Sequence, residues 1–155
     1  MAAALPKARR AQIDALTPGT VHIFTDGACT GNPGPAGCGA VLVYNGRTRE
    51  LSHFLGHATN NIAELTALKR ALELVKDRSL PVRVYADSEY TIGVLTRDWK
   101  IKANAALIAE IRELLDQFED IELEKVPGHA GNALNVRADA LARQAIAKGV
   151  GARGG

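Results

Sequence analysis

Residues 21–56, "VHIFTDGACTGNPGPAGCGAVLVYNGRTRELSHFLG", hold three runs of β-forming residues with little chain between them. The first, "VHIFTD", is rich in β-branched and aromatic side chains and reads as a strand. The second, "GCGAVLVY", and the third, "RTRELSHFLG", are separated by Asn45-Gly46, a pair preferred in two-residue hairpin turns. Strands joined this tightly pair antiparallel, because a parallel connection needs a dozen or more residues. Between the first two lies "GACTGNPGPAG". It lacks GxxxxGK[ST] and is no P-loop. A strand follows it, whereas a dinucleotide-binding turn needs a helix there. Two readings remain open. The glycines build a tight irregular turn, or they let backbone approach a nucleic-acid strand, with Asn32 offering its amide to a sugar or base edge.

Outward from this core, residues 1–18 are expected to form a flexible or weakly helical arm with a small basic cluster, Lys7, Arg9 and Arg10. "TNNIAELTALKRALELVKDRS" predicts a helix, with Ile62, Leu65, Leu68, Ala71, Leu72 and Val75 near helical period and Asn60 or Asn61 as its cap. "PVRVYAD" follows as a buried strand and "SEYTIGVLT" as a short serine-capped helix. "NAALIAEIRELLDQFE" is a helix, "IELEKVPG" a strand and "NALNVRADALARQAIAKG" a last helix. Residues 150–155 are expected to be a disordered tail, leaving 19–149 as the folded domain. The order β-β-β-α-β-α-α-β-α implies an α/β fold. Its five-stranded mixed sheet has three antiparallel strands first, later strands reached through helices, and helices on its faces.

The 155 residues suit one domain with a real core, and 46% apolar with 23% charged residues is ordinary soluble composition. No apolar run approaches a membrane span, and the N-terminus lacks the pattern of a signal peptide. Cys29 and Cys38 form neither a CxxC pair nor a disulfide framework, so a cytoplasmic location is expected. A net charge of +2 permits a nucleic-acid partner without arguing for one.

Four acids stand where a core-facing or core-edge position is expected. Asp26 ends the first strand and Asp87 ends the fourth, the ends at which α/β sheets gather ligands. Glu64 lies among the apolar positions of the first long helix, and Asp139 lies between small apolar residues on the last. Singly, each reads as a surface acid, a turn residue or a helix cap. Converging, they would repel one another and raise each other's pKa values, and their motifs supply no obvious Arg or Lys for each. Divalent metal is the natural compensation, and oxygen ligands suit Mg²⁺ or Mn²⁺. Two ions about 4 Å apart activate a water and stabilise the leaving oxygen of a phosphodiester. His129, in the glycine-flanked "VPGHAGN", has a side chain suited to proton transfer and to assisting product departure. Thr59, Asn60 and Asn61 open the first long helix, where ordinary capping and phosphate binding are equally compatible with the residues. Trp99 is either a packing residue or the lining of a nucleic-acid channel.

In order, "TDGACTGNPGPAGCGA", "TNNIAEL", "YADSEYTI" and "VPGHAGNALNVRADALA" resemble type 1 ribonuclease H, over about residues 20–147. The resemblance implies an endonuclease that hydrolyses the RNA strand of RNA–DNA hybrids with two Mg²⁺ ions, leaving 3′-hydroxyl and 5′-phosphate ends. It maps the metal-binding acids onto Asp26, Glu64, Asp87 and Asp139, with Asp26 shared between the ions, and the loop histidine onto His129. It places Asn32 and Asn61 at the RNA strand, Thr59 and Asn104 at a phosphate of the DNA strand, and Trp99 along the DNA channel. It also implies a monomer without membrane contact. Three departures stand out. "RDWKIKANAAL" is too short for the basic protrusion of many bacterial members. His57 stands where an arginine is common, and Val136 where an acid is common. The alternatives are a non-catalytic hybrid-binding module and a related metal-dependent nuclease acting on other nucleic acids.

Overall fold

The computed structural model describes residues 5–97, 99–126 and 132–154, with 152–154 described by backbone alone. Strands β1 (Val21–Cys29), β2 (Gly34–Tyr44) and β3 (Arg47–Ala58) follow helix α1 (Lys7–Ala15). Next come α2 (Asn60–Leu74), β4 (Val82–Ala86), α3 (Glu89–Thr96), α4 (Ala105–Leu115), β5 (Ile121–Lys125) and α5 (Ala133–Gly154). The five strands form one sheet in the order β3-β2-β1-β4-β5. β1–β2 and β2–β3 are antiparallel, whereas β1–β4 and β4–β5 are parallel. The mixed sheet expected from the sequence is therefore present. Its hairpin turn has Asn45 at φ 50° and Gly46 at φ 79°, the mirror-image turn that suits strand twist.

Strand alternation sorts side chains into two cores. Val21, Ile23, Ala40, Leu42, Val82 and Val84 pack with Leu65, Leu68 and Leu72 of α2 and Ile108 and Ile111 of α4. Phe24, Val41 and Val43 pack on the opposite face with Leu134 and Leu141 of α5 and Ile13 of α1. His22, between Val21 and Ile23 in sequence, is buried; its Nε2 donates to the Thr17 carbonyl and its Nδ1 lies 3.0 Å from the Tyr85 hydroxyl.

Both ends of the chain depart from expectation. Residues 1–18 are read from sequence as an arm, but α1 is docked on the body. Ile13 is 2% exposed, a burial contributing roughly 1.5–3 kcal/mol. Gln12 donates through Nε2 to Asn132 Oδ1 at 2.8 Å and accepts from the Leu134 amide at 2.7 Å, so it covers the start of α5. At the other end α5 continues to Gly154, through the segment expected to be a disordered tail. Its glycines do not stop it. Gly149 lies against the Phe54 ring of β3, and no glycine of α5 adopts a left-handed φ.

Candidate active site

The parallel register of β1 and β4 sets the first two acids. Pairing ends at Thr25 opposite Ala86, so Asp26 and Asp87 are the next residues on adjacent chains. β1 itself runs on to Cys29, paired only with β2; the sequence places its end at Asp26 because the glycines beyond look like loop. Ala86 is held on its other side by the Val126 amide, 2.9 Å from its carbonyl. Beyond Asp87, Ser88 caps α3 by accepting from the Thr91 amide at 3.1 Å.

The glycines bring in the other two acids. A Cβ on Gly27 would stand 2.4 Å from the Glu64 amide nitrogen and 2.5 Å from the Ala63 carbonyl carbon. Only glycine lets α2 cross β1 there, beside Asp26. Opposite Asp26 in the sheet is Gly39, whose Cβ would stand 2.2 Å from the Ala138 carbonyl of α5. The missing side chains thus set the height of both helices over the sheet, one at Glu64 and one just before Asp139. The irregular turn shrinks to residues 30–33, closed by the Thr30 amide donating to Pro35 at 2.8 Å.

Asp26, Glu64, Asp87 and Asp139 line one polar cavity of about 490 Å³ with Asn60, Thr30, Cys29 and Arg143. Asp26 and Glu64 are buried, at 4% and 7% exposure. Burial pushes the Glu64 carboxyl well above the usual range, aided by the Asp26 charge, a hydrogen bond to Asp26 and the Asp87 charge; a Gly27 backbone hydrogen bond opposes this. Below the ordinary range, near 4.5, Glu64 is protonated whether the chain is folded or not. As pH rises from there, the unfolded chain gives up the proton while the folded site keeps it. Stability of the metal-free protein is thus expected to fall across that window and level off once the folded Glu64 has ionised. Melting temperatures of metal-free protein against pH, repeated with Mg²⁺, check this. The ion is expected to remove most of the loss.

Asp139 is not without a cation. Arg143, one turn along α5, lies with Nε 3.1 and 3.0 Å from its two carboxylate oxygens. This cation comes from outside the acid motifs. Arg143 stands just past the last motif and is recognisable in the sequence only as an i,i+4 partner on the same helix.

The substrate candidates divide between two places. Asn60 lines the cavity, and Asn32 Oδ1 accepts from the Asn60 amide at 3.0 Å, tying the β1–β2 turn to α2. Thr59, rather than Asn60 or Asn61, caps α2, its Oγ1 accepting from the Ile62 amide. Asn61 is exposed in the first turn. Asn104 and Trp99 lie instead in the α3–α4 connection. Asn104, at φ 62°, donates to the Tyr90 hydroxyl at 3.1 Å, and Trp99 lies with its ring against Gly93 and is 40% exposed. His57 pairs opposite Pro35 at the end of β3, and Val136 is exposed on α5. His129 lies outside the described residues.

The donor set consists of carboxylates crowded enough to hold a proton among them, which suits a hard divalent cation. Among the described residues no three His, Cys, Asp or Glu groups stand placed to hold a metal ion between them. An ion of the Mg²⁺ kind needs no such trio, since it keeps several waters and takes one or two carboxylates plus phosphate oxygens. The residues therefore fit such an ion.

The sequence model of the family described as RNase H matches residues 18–147. The chain belongs to the RNase H family. Ribonuclease H of Pelobacter propionicus is 38% identical, over 96% of this chain and 98% of its own. Ribonuclease H of Nitrosococcus oceani is 46% identical, over 83% and 95%. Among solved structures, RNase H1 of the halophilic archaeon Halobacterium salinarum aligns with a TM-score of 0.74 at 39% identity, over 84% of this chain and 99% of its own. LC11-RNase H1, solved in complex with an RNA/DNA hybrid, aligns at 0.71 and 34% identity, over 84% and 99%. The RNase H match begins after α1, so the helix that covers the start of α5 is additional to the matched span. Among the described residues no helix is long and apolar enough to cross a membrane.

Proposed function

We propose that this chain is an endonuclease that hydrolyses the RNA strand of RNA–DNA hybrids by two-metal-ion catalysis, leaving 3′-hydroxyl and 5′-phosphate ends. The observation that carries the reading is the convergence of Asp26, Glu64, Asp87 and Asp139 on one polar cavity at the ends of paired parallel strands. Membership of the RNase H family and the hybrid bound by LC11-RNase H1 supply the substrate class. The four carboxylates would hold Mg²⁺, with Mn²⁺ as a substitute. Bound divalent ions supply an activated water and neutralise charge developing on the phosphate.

The chain's own groups do the rest. Asp26 and Asp87, fixed by the sheet, define the floor of the site. Glu64 must release its proton before it can serve as a ligand, so activity should rise with pH as it ionises. Asn32 and Asn61 face the RNA strand, whose 2′-hydroxyls an amide can recognise, and Asn60 joins them in binding substrate. Thr59 and Asn104 hold the DNA strand's phosphate, Trp99 lines its path, and His129 assists product departure. The protein is proposed to act as a monomer in the cytoplasm.

The test is cleavage of a labelled RNA–DNA hybrid with Mg²⁺, with Mn²⁺ and with EDTA, beside single-stranded RNA, double-stranded RNA and duplex DNA. Metal-dependent cutting confined to the hybrid's RNA strand is expected. Hybrid bound but uncut in either metal would favour a binding module instead, and cutting of duplex DNA would favour a different nuclease.

A further inference from the structure

The cavity contains a cation that the nuclease reading does not use. Arg143 reaches Asp139 through Nε alone, with both carboxylate oxygens about equally close, at 3.1 and 3.0 Å. Neither terminal nitrogen of its guanidinium bonds to any described residue. Its side chain is 71% exposed, whereas that of Asp139 is 24% exposed. The pair is therefore lopsided: a carboxylate held by the cavity wall, and a long cation lying over it from solvent. Two terminal NH₂ groups, with four N–H donors, remain for another acceptor in the same cavity.

With Nε set against both carboxylate oxygens, the guanidinium competes with a divalent ion for Asp139, and the two like charges repel. An exposed arginine on one carboxylate is a weak partner, worth little against solvent. It is also a partner whose planar fork matches a phosphate at two points. We propose that Arg143 is the counter-ion that Asp139 exchanges for a divalent cation. The guanidinium released by the exchange binds a phosphate of the nucleic-acid strand in the cavity. The second half rests on the nuclease reading above; the first does not. The exchange gives the site a resident positive charge while metal is absent. It also turns metal loading into a signal that frees a phosphate-binding group, so ion and strand assist each other's entry.

This role has a signature that a structural one lacks. Removing the charge improves one binding event and weakens the other. Mg²⁺ and Mn²⁺ are titrated by calorimetry into the full chain, without nucleic acid, for wild type, Arg143→Gln and Arg143→Lys. Arg143→Gln is expected to bind the ion about two- to fivefold more tightly, the range set by an exposed pair. Arg143→Lys, which keeps the charge but loses the fork, is expected to stay near wild type. In hybrid cleavage, KM of Arg143→Gln is expected to rise about threefold to tenfold, with a log–log salt slope shallower by about one. Lys is expected to restore the slope better than the KM.

Unchanged or weaker metal binding in Arg143→Gln overturns the exchange. Tighter metal binding with KM and salt slope both unchanged overturns the phosphate role. Wild-type protein that cuts no hybrid, while Arg143→Gln still binds metal more tightly, overturns the nuclease reading and supports the exchange. The two failures therefore separate.

Discussion

Asp87→Asn is expected to reduce hybrid cleavage by at least about 10³-fold, the scale of several kcal/mol that a metal contributes to the transition state. The substitution is close to isosteric, and two contacts beside it do not involve the carboxylate. Ser88 still caps α3 and the Val126 amide still holds Ala86. What disappears is a carboxylate placed abreast of Asp26 by the end of the β1–β4 pairing. A neutral amide cannot replace it as a ligand for a hard cation. Because the Asp87 charge helps raise the Glu64 pKa, Glu64 should also ionise more readily in the variant. Single-turnover cleavage beside equilibrium binding of the hybrid is the measurement. Lost cleavage with binding largely retained is expected, and normal cutting in Mg²⁺ would remove Asp87 from the proposed ligand set.

Gly39→Ala is expected to cost about 3 kcal/mol or more, at the upper end of what overpacking does in a core. One methyl would meet the Ala138 carbonyl at 2.2 Å, the Ala142 amide nitrogen at 2.7 Å and the Leu141 Cβ at 2.8 Å. Two of these are backbone atoms of a helix, which cannot turn aside as a side-chain tip can. The helix must rise from the sheet, and Asp139 rises with it. Urea unfolding reports the stability loss, and residual cleavage reports the displacement. Gly151→Ala on the same helix is the control. Its added methyl meets nothing within 4 Å, and alanine is the better helix former, so unchanged or slightly increased stability is expected. Equal losses at both positions would mean that helix height over β2 is not what Gly39 sets.

Strands, helices and the four acids are legible because they follow from local rules. Period 2 separates Ile23 from Phe24, and period 3.6 places Glu64 among Leu65, Leu68 and Leu72. Contacts across elements are not local, and the misses fall there. Glycine announces a missing side chain but not the reason for it. Gly46 serves a turn, whereas Gly27 and Gly39 serve helices 37 and 99 residues away, at Glu64 and Ala138. Asn60 and Asn61 are as plausible as caps as Thr59, and one hydrogen bond, to Ile62, decides among them. Arg143 falls outside every motif yet shares the cavity. Gln12 looks like any polar residue of an arm until its partners at Asn132 and Leu134, about 120 positions on, come into view.

That last contact bears on where this protein ends as a cooperative unit. The family's sequence model starts at residue 18, and a chain cut there would keep every strand and every proposed ligand. It would also open a hole where Ile13 fills the core beneath Phe24, Val41 and Leu134, and strip the Leu134 amide of its acceptor. The family model and the packed core thus draw different borders. The family model spans one length of polypeptide, and the core that Ile13 completes draws on a longer one.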